Sequence, residues 1–217
     1  MAGILFIISA PSGSGKSTLV SQLRTLVEGL DFSISYTTRP PRGSEQDGQE
    51  YHFTTRDRFE AMIAAGEFLE WAEVFGNYYG TALAALEHAR SEGKDLLLDI
   101  DVQGAMQVMQ KLPAAISIFI LPPSPQVLEM RLRNRSEAEH MTVESVIERR
   151  LLEARKELSR IREYKYALVN DVLDQAVAEM RAVVLCERGE PGVEALASAC
   201  RTDAASPRLA AALASFG

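Results

Sequence analysis

A glycine-rich segment near the N-terminus has the residue types and spacing of a phosphate-binding loop. Its members are Ala10, Pro11, Ser12, Gly13, Ser14, Gly15, Lys16, Ser17 and Thr18. The segment fits G-x-x-x-x-G-K-[ST] with Ala10 at the first glycine position. Such a turn points successive backbone N–H groups at a phosphate, and a helix that begins there adds the positive end of its dipole. With Lys16 expected on the outer phosphates and Ser17 on Mg²⁺, the loop predicts binding of a nucleoside triphosphate.

A second group of residues has the chemistry needed to hold an acceptor. Arg39 and Arg42 stand three apart with two prolines between them, and proline lowers the entropy lost when the arginines close on a ligand. Paired guanidinium groups suit a phosphate, which accepts bidentate hydrogen bonds. Tyr51, Tyr78 and Tyr79 offer hydroxyl donors that a folded segment could bring to the arginines. A basic surface loop beside aromatic core residues is the alternative, and spacing alone does not separate the two.

The elements that position these residues follow an alternating pattern. Apolar runs typical of buried parallel strands occupy residues 4–8, 96–101, 116–121 and 166–170. Helical periodicity follows the glycine-rich loop and returns at residues 102–111, 125–134 and 173–186. Strands that alternate with helices predict an α/β fold with a parallel core sheet and helices on both faces. Five strands are expected in this sheet, one more than these four runs mark.

Three stretches depart from this rhythm. Residues 33–82 are rich in Tyr, Thr, Arg and Gly and predict a small mixed insertion with its own hairpin or sheet. Residues 131–162 carry many arginines mixed with Glu, which is typical of a solvated helix face, although two or three of the arginines are expected to bind a ligand. Residues 198–217 form an Ala- and Ser-rich tail, for which a marginal helix, disorder and a partner contact all stay open.

The composition limits the class of protein. A chain of 217 residues with 47% apolar residues suits one α/β domain with small insertions. The net charge of -7 argues against broad nucleic-acid binding, and no apolar run approaches a membrane span. Cys186 and Cys200 make no metal spacing with the three histidines, so reduced structural thiols in a cytoplasmic protein are expected. Residues 1–9 are interpreted as a first strand rather than a signal peptide.

The order of several motifs resembles that of guanylate kinases over roughly residues 3 to 188. The matching motifs are SAPSGSGKS at 9–17, SYTTR at 35–39 with Arg42, FLEW at 68–71, FGNYYGT at 75–81, DIDVQG at 99–104, LPPS at 121–124 and VND at 169–171. In this family the first loop position is often Ala or Gly, which accounts for Ala10. The resemblance implies the P-loop nucleoside-monophosphate kinase fold, with a core (1–32, 83–130, 159–190), a GMP-binding insertion (33–82), a helical lid (131–158) and a tail (191–217).

The resemblance also implies roles for acceptor-site residues. Arg39, Arg42, Tyr51 and Tyr79 would hold the phosphate of GMP, Ser35, Glu70 and Thr81 would recognise guanine, and Asp99 and Asp101 would lie near the nucleoside and the Mg²⁺ shell, directly or through water. Guanine presents N1–H and its 2-amino group side by side, and one carboxylate such as Glu70 can accept from both. Adenine would leave that carboxylate unpaired. Without the resemblance, Glu70 would be interpreted as an exposed acid at the end of a strand.

The same resemblance assigns donor-side residues. Arg131, Arg135 and Arg150 would act with Lys16 on the transferring phosphoryl group, and Asn170 would lie by the adenine of ATP. Ser136 stands where the family usually has Gly, and the spacing from Arg135 to Arg150 is longer than is usual, with an insertion expected in 136–143.

The activity implied is Mg²⁺-dependent transfer of a phosphoryl group from ATP to GMP or dGMP, and a homo-oligomer stays open. Two alternatives remain. One is another small-molecule kinase on this scaffold, such as a ribosyl-bisphosphate kinase. The other is a non-catalytic guanylate-kinase-like interaction module. The modules characteristically lack a working phosphate loop, whereas Lys16 and Ser17 are intact here.

Overall fold

The computed structural model describes residues 3–138, 144–204 and 206–216. The strands are β1 (Leu5–Ser9), β2 (Leu30–Phe32), β3 (Tyr36–Thr37), β4 (His52–Phe53), β5 (Phe68–Val74), β6 (Asn77–Ala82), β7 (Asp95–Asp99), β8 (Ile116–Leu121) and β9 (Tyr166–Val169). The helices are α1 (Lys16–Leu26), α2 (Arg56–Ala64), α3 (Leu83–Glu92), α4 (Val102–Lys111), α5 (Pro125–Ala138), α6 (Glu144–Leu158), α7 (Leu173–Glu187), α8 (Glu194–Ser198) and α9 (Pro207–Ser215), with a short 3₁₀ helix at Ile161–Glu163. Among these helices none is long and apolar enough to cross a membrane.

The larger sheet has the strand order β2-β7-β1-β8-β9. Its outer pairs, β2 with β7 and β8 with β9, are parallel. Every residue of β1, β8 and β9 is buried, which explains why these strands appear in the sequence as unbroken apolar runs. The predicted five-stranded parallel sheet is confirmed.

Two details of this sheet differ from the sequence-based expectation. The edge strand β2 has only three residues, of which Leu30 alone is buried, so it left no apolar run to detect. The strand predicted at 96–101 ends at Asp99, because Asp101 caps the following helix instead. Asp101 Oδ1 accepts from the backbone N–H groups of Gln103 and Gly104 at 2.7 and 3.1 Å.

A second sheet, with the order β4-β3-β6-β5, lies within residues 36–82. The antiparallel hairpin of β5 and β6 turns at Phe75 and Gly76, whose φ angles of 50° and 83° match the two left-handed positions of a tight hairpin turn. Helix α2 covers this sheet with Phe59, which stacks on Phe68 at 4.4 Å between ring centroids. The insertion therefore has an apolar core of its own.

The chain divides into two compact units. The first comprises Met1–Ile7 with Gly29–Ile116, and the second comprises Ile8–Glu28 with Ser117–Gly217. In the second unit α7 packs against β9 and α1, and α5 packs against α6. The tail of this unit contains α8 and α9, so of the alternatives left open by the sequence a helix is observed in its described part.

Candidate active site

The phosphate loop follows β1, the central strand of the larger sheet. Gly13 and Gly15 adopt φ angles of 88° and 83°, which residues with a Cβ rarely reach, and the Ser14 amide donates to Pro11 O at 3.1 Å to close the turn. Helix α1 begins at Lys16 without a side-chain cap and without an acid in its first turn. Its N-terminal N–H groups and dipole therefore favour an anion at this point.

Two side chains from distant parts of the chain hold the loop backbone. Asn170 Nδ2 and Arg131 Nη1 both donate to Ser14 O, at 2.8 and 3.3 Å. Arg131 Nη2 also donates to Asn170 O at 3.1 Å, so the three residues form a closed set of hydrogen bonds. A Cβ at Gly15 would lie 2.4 Å from Asn170 Nδ2, and the second glycine of the loop is therefore required for this contact as well as for its φ. The predicted donor-side residues Asn170 and Arg131 are thus brought to the loop.

The loop also has features that suit a phosphate and its metal. Ser14 Oγ is buried and has no hydrogen-bond partner in the described part of the protein. Ser17 lies exposed in the first turn of α1. Within the described residues no group of three or more His, Cys, Asp or Glu is placed to hold a metal ion. The Ser17 hydroxyl is a loop group that could ligate Mg²⁺, an ion that commonly takes its other oxygen ligands from phosphates and water.

The structure describes the side chains of two of the three predicted lid arginines. Arg131 lies on α5, at the loop, and Arg150 is buried on α6 with 8% of its surface exposed. Arg135 lies in the last part of α5, which extends beyond the predicted end at 134, but its side chain is outside the described part of the protein. The predicted insertion at 136–143 falls mostly on residues 139–143, which also lie outside it.

The predicted phosphate-binding residues of the acceptor meet around Arg39. The Arg39 guanidinium lies 5.3 Å from the Tyr51 ring centroid, and Tyr51 contacts Tyr79 with ring centroids 5.9 Å apart. Glu45 binds the same guanidinium through both oxygens at 2.9 Å and accepts from the Arg42 backbone N–H at 2.7 Å. Although burial opposes ionisation, these hydrogen bonds hold the pKa of Glu45 below its usual range. The cluster is therefore a buried cation with its counter-charge already attached.

Glu70 owes its position to an irregularity in the β5–β6 hairpin. The pairing moves from Phe68 opposite Ala82 to Glu70 opposite Thr81, so Leu69 is an extra residue and forms a bulge. As a result Leu69 and Glu70 are both buried although they are consecutive in a strand, and Glu70 is only 2% exposed. The alternative interpretation of Glu70 as an exposed acid at the end of a strand is wrong.

The buried carboxyl group of Glu70 has unusual electrostatics. Burial raises its pKa to about 7, and the nearby charge of Asp101 acts in the same direction, while the adjacent Thr81 and the more distant Lys111 act against it. Thr81 Oγ1 is itself buried without a well-directed hydrogen bond inside the described ranges. A carboxylate has two oxygens that each accept more than one hydrogen bond, so the buried Glu70 group beside the Thr81 hydroxyl is suited to a ligand that offers a pair of donors.

Helix α4 supplies contacts to Glu70 that sequence reasoning missed. Three residues on one helical face meet the edge strand β5: Lys111 Nζ donates to Leu69 O at 2.6 Å, and Gln107 Nε2 donates to Trp71 O at 2.7 Å. The third is Gly104, where a Cβ would lie 2.2 Å from Glu70 Oε2. A glycine inside a helix was the available signal, since it costs helix stability unless a close approach requires it.

The remaining predicted residues occupy the same compact unit. Ser35 is buried directly before β3, Asp99 ends β7 and Asp101 caps α4. The charge of Asp101 raises the pKa of Glu70, so the two carboxyl groups interact electrostatically. The capping hydrogen bonds of Asp101 show a structural task that the resemblance did not assign.

Comparison with known proteins agrees with this geometry. A protein family described as guanylate kinase matches residues 3–187 of the chain. A guanylate kinase of Koribacter versatilis is 60% identical over 188 residues, covering 87% of this chain and 80% of the relative, and one of Alkalilimnicola ehrlichii is 48% identical, covering 87% and 91%. A crystal structure of guanylate kinase from Anaplasma phagocytophilum matches with a TM-score of 0.72 at 31% identity and covers 88% of each chain.

Proposed function

Since the chain belongs to the guanylate kinase family, we propose that its phosphate loop holds ATP and that the cluster around Arg39 and Glu70 holds GMP. The reaction is transfer of the γ-phosphoryl group of ATP to GMP, giving ADP and GDP. The observation that supports the acceptor assignment is the buried Glu70 carboxyl group beside the buried Thr81 hydroxyl. Guanine brings two adjacent N–H donors to these acceptors, and adenine does not.

The acceptor phosphate would be bound by charge and by hydroxyl donors. Arg39, Arg42, Tyr51 and Tyr79 would bind it together, and the contacts of Tyr51 with Arg39 and with Tyr79 support this assignment. A phosphate dianion competes with Glu45 for the Arg39 guanidinium, because both accept from the same fork of N–H groups. Ser35 would add a hydroxyl near the base, and Asp99 and Asp101 would border the nucleoside. We expect dGMP to be accepted as well as GMP.

The donor side needs positive charge and orientation, not a general base, because the attacking phosphate oxygen is already ionised. Lys16, Arg131, Arg135 and Arg150 would neutralise the transferring phosphoryl group, and the loop N–H groups would orient the phosphates. Mg²⁺ supplies further neutralisation of the phosphate oxygens when it is bound, with Ser17 as its protein ligand. Asn170 would border the nucleoside of ATP while it keeps the loop in place through Ser14.

We also place the chain in the cytoplasm. ATP and GMP are intracellular metabolites, and both cysteines are free thiols. Cys200 is buried and burial raises the pKa of its thiol to about 12, so it is an inert packing residue rather than a reactive group.

The test is a coupled assay of ADP release with GMP, dGMP, AMP, CMP and UMP, run on the unmodified protein and on Glu70→Gln. Gln presents one acceptor and one donor, and the donor would face a guanine N–H. We expect kcat/KM for GMP to fall on the order of 10²-fold, which corresponds to a loss of about 3 kcal/mol of transition-state stabilisation. We expect a much smaller loss of kcat/KM for AMP. Glu73→Gln, an exposed acid on the same strand, is the matched control and should have no effect. Equal kcat/KM for GMP and AMP in the unmodified protein, or an unchanged ratio in Glu70→Gln, would contradict the acceptor assignment.

A further inference from the structure

The C-terminal segment lies beyond the family match, which ends at residue 187, and its last helix has a well-defined start. Ser206 Oγ accepts from the Leu209 backbone N–H at 3.3 Å, and Pro207 occupies the first helical position. Both are favoured at a helix N-terminus, one as a cap and the other for its fixed φ. Arg208, the next residue, therefore projects from a rigid point.

Arg208 joins three acceptors with one guanidinium group. Nη2 donates to Val169 O at 2.6 Å and to the carboxylate of Asp171, and Nη1 donates to the carboxylate of Glu179. Glu179 is only 8% exposed, so the pairing also compensates a buried charge on α7. The planar fork of an arginine can hold three acceptors in fixed directions, which a lysine cannot.

The residue between Val169 and Asp171 is Asn170, the residue that holds the phosphate loop. Its side chain donates to Ser14 O, and its backbone carbonyl accepts from Arg131. Because Arg208 binds the backbone carbonyl of one neighbour and the side chain of the other, it restrains the chain on both sides of Asn170.

The far end of α9 is attached to the same region. Phe216 packs against a cluster of Leu128, Leu132 and Ala154 on α5 and α6. Leu132 in turn lies under the loop, since a Cβ at Gly13 would be 3.1 Å from Leu132 Cγ. Both ends of the tail helix thus contact residues that support the phosphate loop.

We propose that Arg208 is a positioning residue for the donor nucleotide, which acts by holding Asn170 against the loop. This rests on the proposed use of the loop for ATP. Because Arg208 binds the residues on either side of Asn170, its loss should displace Asn170 and Arg131 and leave the residues around Arg39 and Glu70 unchanged. We therefore expect the loss of Arg208 to weaken the binding of ATP and to leave the binding of GMP unchanged.

The experiment compares Arg208→Ala and Arg208→Lys in the full chain. KM is measured for ATP and for GMP, and the affinity for a non-hydrolysable ATP analogue is measured by calorimetry. For Arg208→Ala we expect KM for ATP and Kd for the analogue to rise about tenfold while KM for GMP stays within about twofold. Arg208→Lys should be intermediate. Arg201→Ala, which removes an exposed tail arginine paired with Asp203, should change neither constant.

A double-mutant comparison separates the two proposals. If Arg208 acts through Asn170, Arg208→Ala should add little to the rise in KM for ATP that Asn170→Ala causes. An unchanged KM for ATP in Asn170→Ala would refute the donor-site assignment itself. A rise in Asn170→Ala without a rise in Arg208→Ala, even with a lowered Tm, would overturn only the role of Arg208. If Arg208→Ala does not fold, Asp171→Ala replaces it, because it removes one acceptor of Arg208 at the surface. That variant should show a smaller rise in KM for ATP, and no rise would again overturn the proposal.

Discussion

The phosphate loop and the acceptor cluster are built in opposite ways. The loop is a run of consecutive residues that presents backbone N–H groups at positive φ angles and a helix N-terminus, and two side chains from distant segments hold it in place. The acceptor cluster consists of side chains on β5, β6 and neighbouring loops, arranged by a bulge and by one face of α4. A backbone site recognises any suitable phosphate, whereas a side-chain site can distinguish one base from another.

The difference also appears in what each site costs the fold. The loop places partial positive charges at a half-exposed turn, where water can solvate them before a ligand arrives. The acceptor cluster buries Glu70 with a raised pKa and leaves Thr81 Oγ1 without a well-directed hydrogen bond in the described structure. Buried acceptors of this kind are unfavourable until a ligand supplies donors, and they reject a ligand that does not. If Glu70 recognises guanine as proposed, base selectivity depends on a carboxyl group whose burial is itself unfavourable.

The largest effect that tests this comparison is expected from Lys16, the charged side chain of the phosphate loop. We expect Lys16→Ala to lower kcat by about 10³-fold or more, because its charge acts mainly as the phosphoryl group is transferred. GMP affinity, measured by calorimetry, should remain unchanged, since Lys16 belongs to the donor side. Lys94→Ala, an exposed lysine paired with Glu92, serves as the control. Near-normal turnover of purified Lys16→Ala would contradict the donor assignment.

A second change addresses the acceptor side through a residue that carries no functional group. Gly104→Ala places a Cβ 2.2 Å from Glu70 Oε2, so the carboxylate must move. We expect KM for GMP to rise on the order of 10²-fold, the scale of a displaced binding group, while KM for ATP is unchanged. Gln103→Ala, the exposed neighbour on α4, should be neutral.

The sign of the stability change makes this test sharper. Ala is favoured over Gly in a helix by about 1 kcal/mol, so a purely local effect would stabilise the protein. A variant with weakened GMP binding and an unchanged or raised Tm is therefore expected. If GMP binding is normal, Gly104 does not determine the position of Glu70.

How far the sequence predicts each site follows from the same contrast. The loop could be identified from consecutive residues, because glycines, lysine and serine at fixed spacing encode the backbone shape directly. The residues around Arg39 are recognisable in the sequence as a charged cluster. Their spacing alone does not separate a phosphate-binding site from a basic surface loop, and only the resemblance to guanylate kinases favours the binding site. The bulge at Leu69 and the approach of Gly104 to Glu70 depend on pairing between separate elements, and no local pattern encodes that register.

The larger sheet shows a similar limit. Strands buried on both faces were predicted from their apolar runs, while β2 was missed because three residues with one buried side chain leave no pattern. The amphipathic Leu209, Leu213 and Phe216 indicated a marginal helix in the tail, and α9 is observed there. Nothing local indicated that Arg208 would pair with Asp171 and Glu179, because ion pairs between distant segments are not visible in a single sequence.

The smallest expected effect concerns the protonation of Glu70, and it sharpens the comparison because the loop has no equivalent group. Guanine donates to the ionised carboxylate, so GMP affinity should rise with pH up to about 7 and then level off. Between pH 8 and pH 6 we expect about a tenfold loss of affinity, as a single group with this pKa becomes protonated. The GMP phosphate also titrates in this range, and Glu70→Gln measures that contribution alone. Affinity for an ATP analogue should vary far less over the same range.

Protein stability should respond to the same titration with the opposite sign. The folded-state pKa of about 7 lies above the ordinary glutamate value of 4.5, so the unfolded chain loses this proton first and the fold is progressively destabilised as pH rises between these values. Glu70→Gln has no such group, and without GMP it should be more stable than the unmodified protein at pH 8, by at most about 3 kcal/mol. The free energies of unfolding of the two proteins should converge near pH 4.5. Chemical denaturation at several pH values measures the difference, and a difference that stays constant with pH would show that the pKa of Glu70 is the same in the folded and the unfolded protein. Because the cost disappears when guanine donates to the carboxylate, saturating GMP should stabilise the unmodified protein more than Glu70→Gln at pH 8.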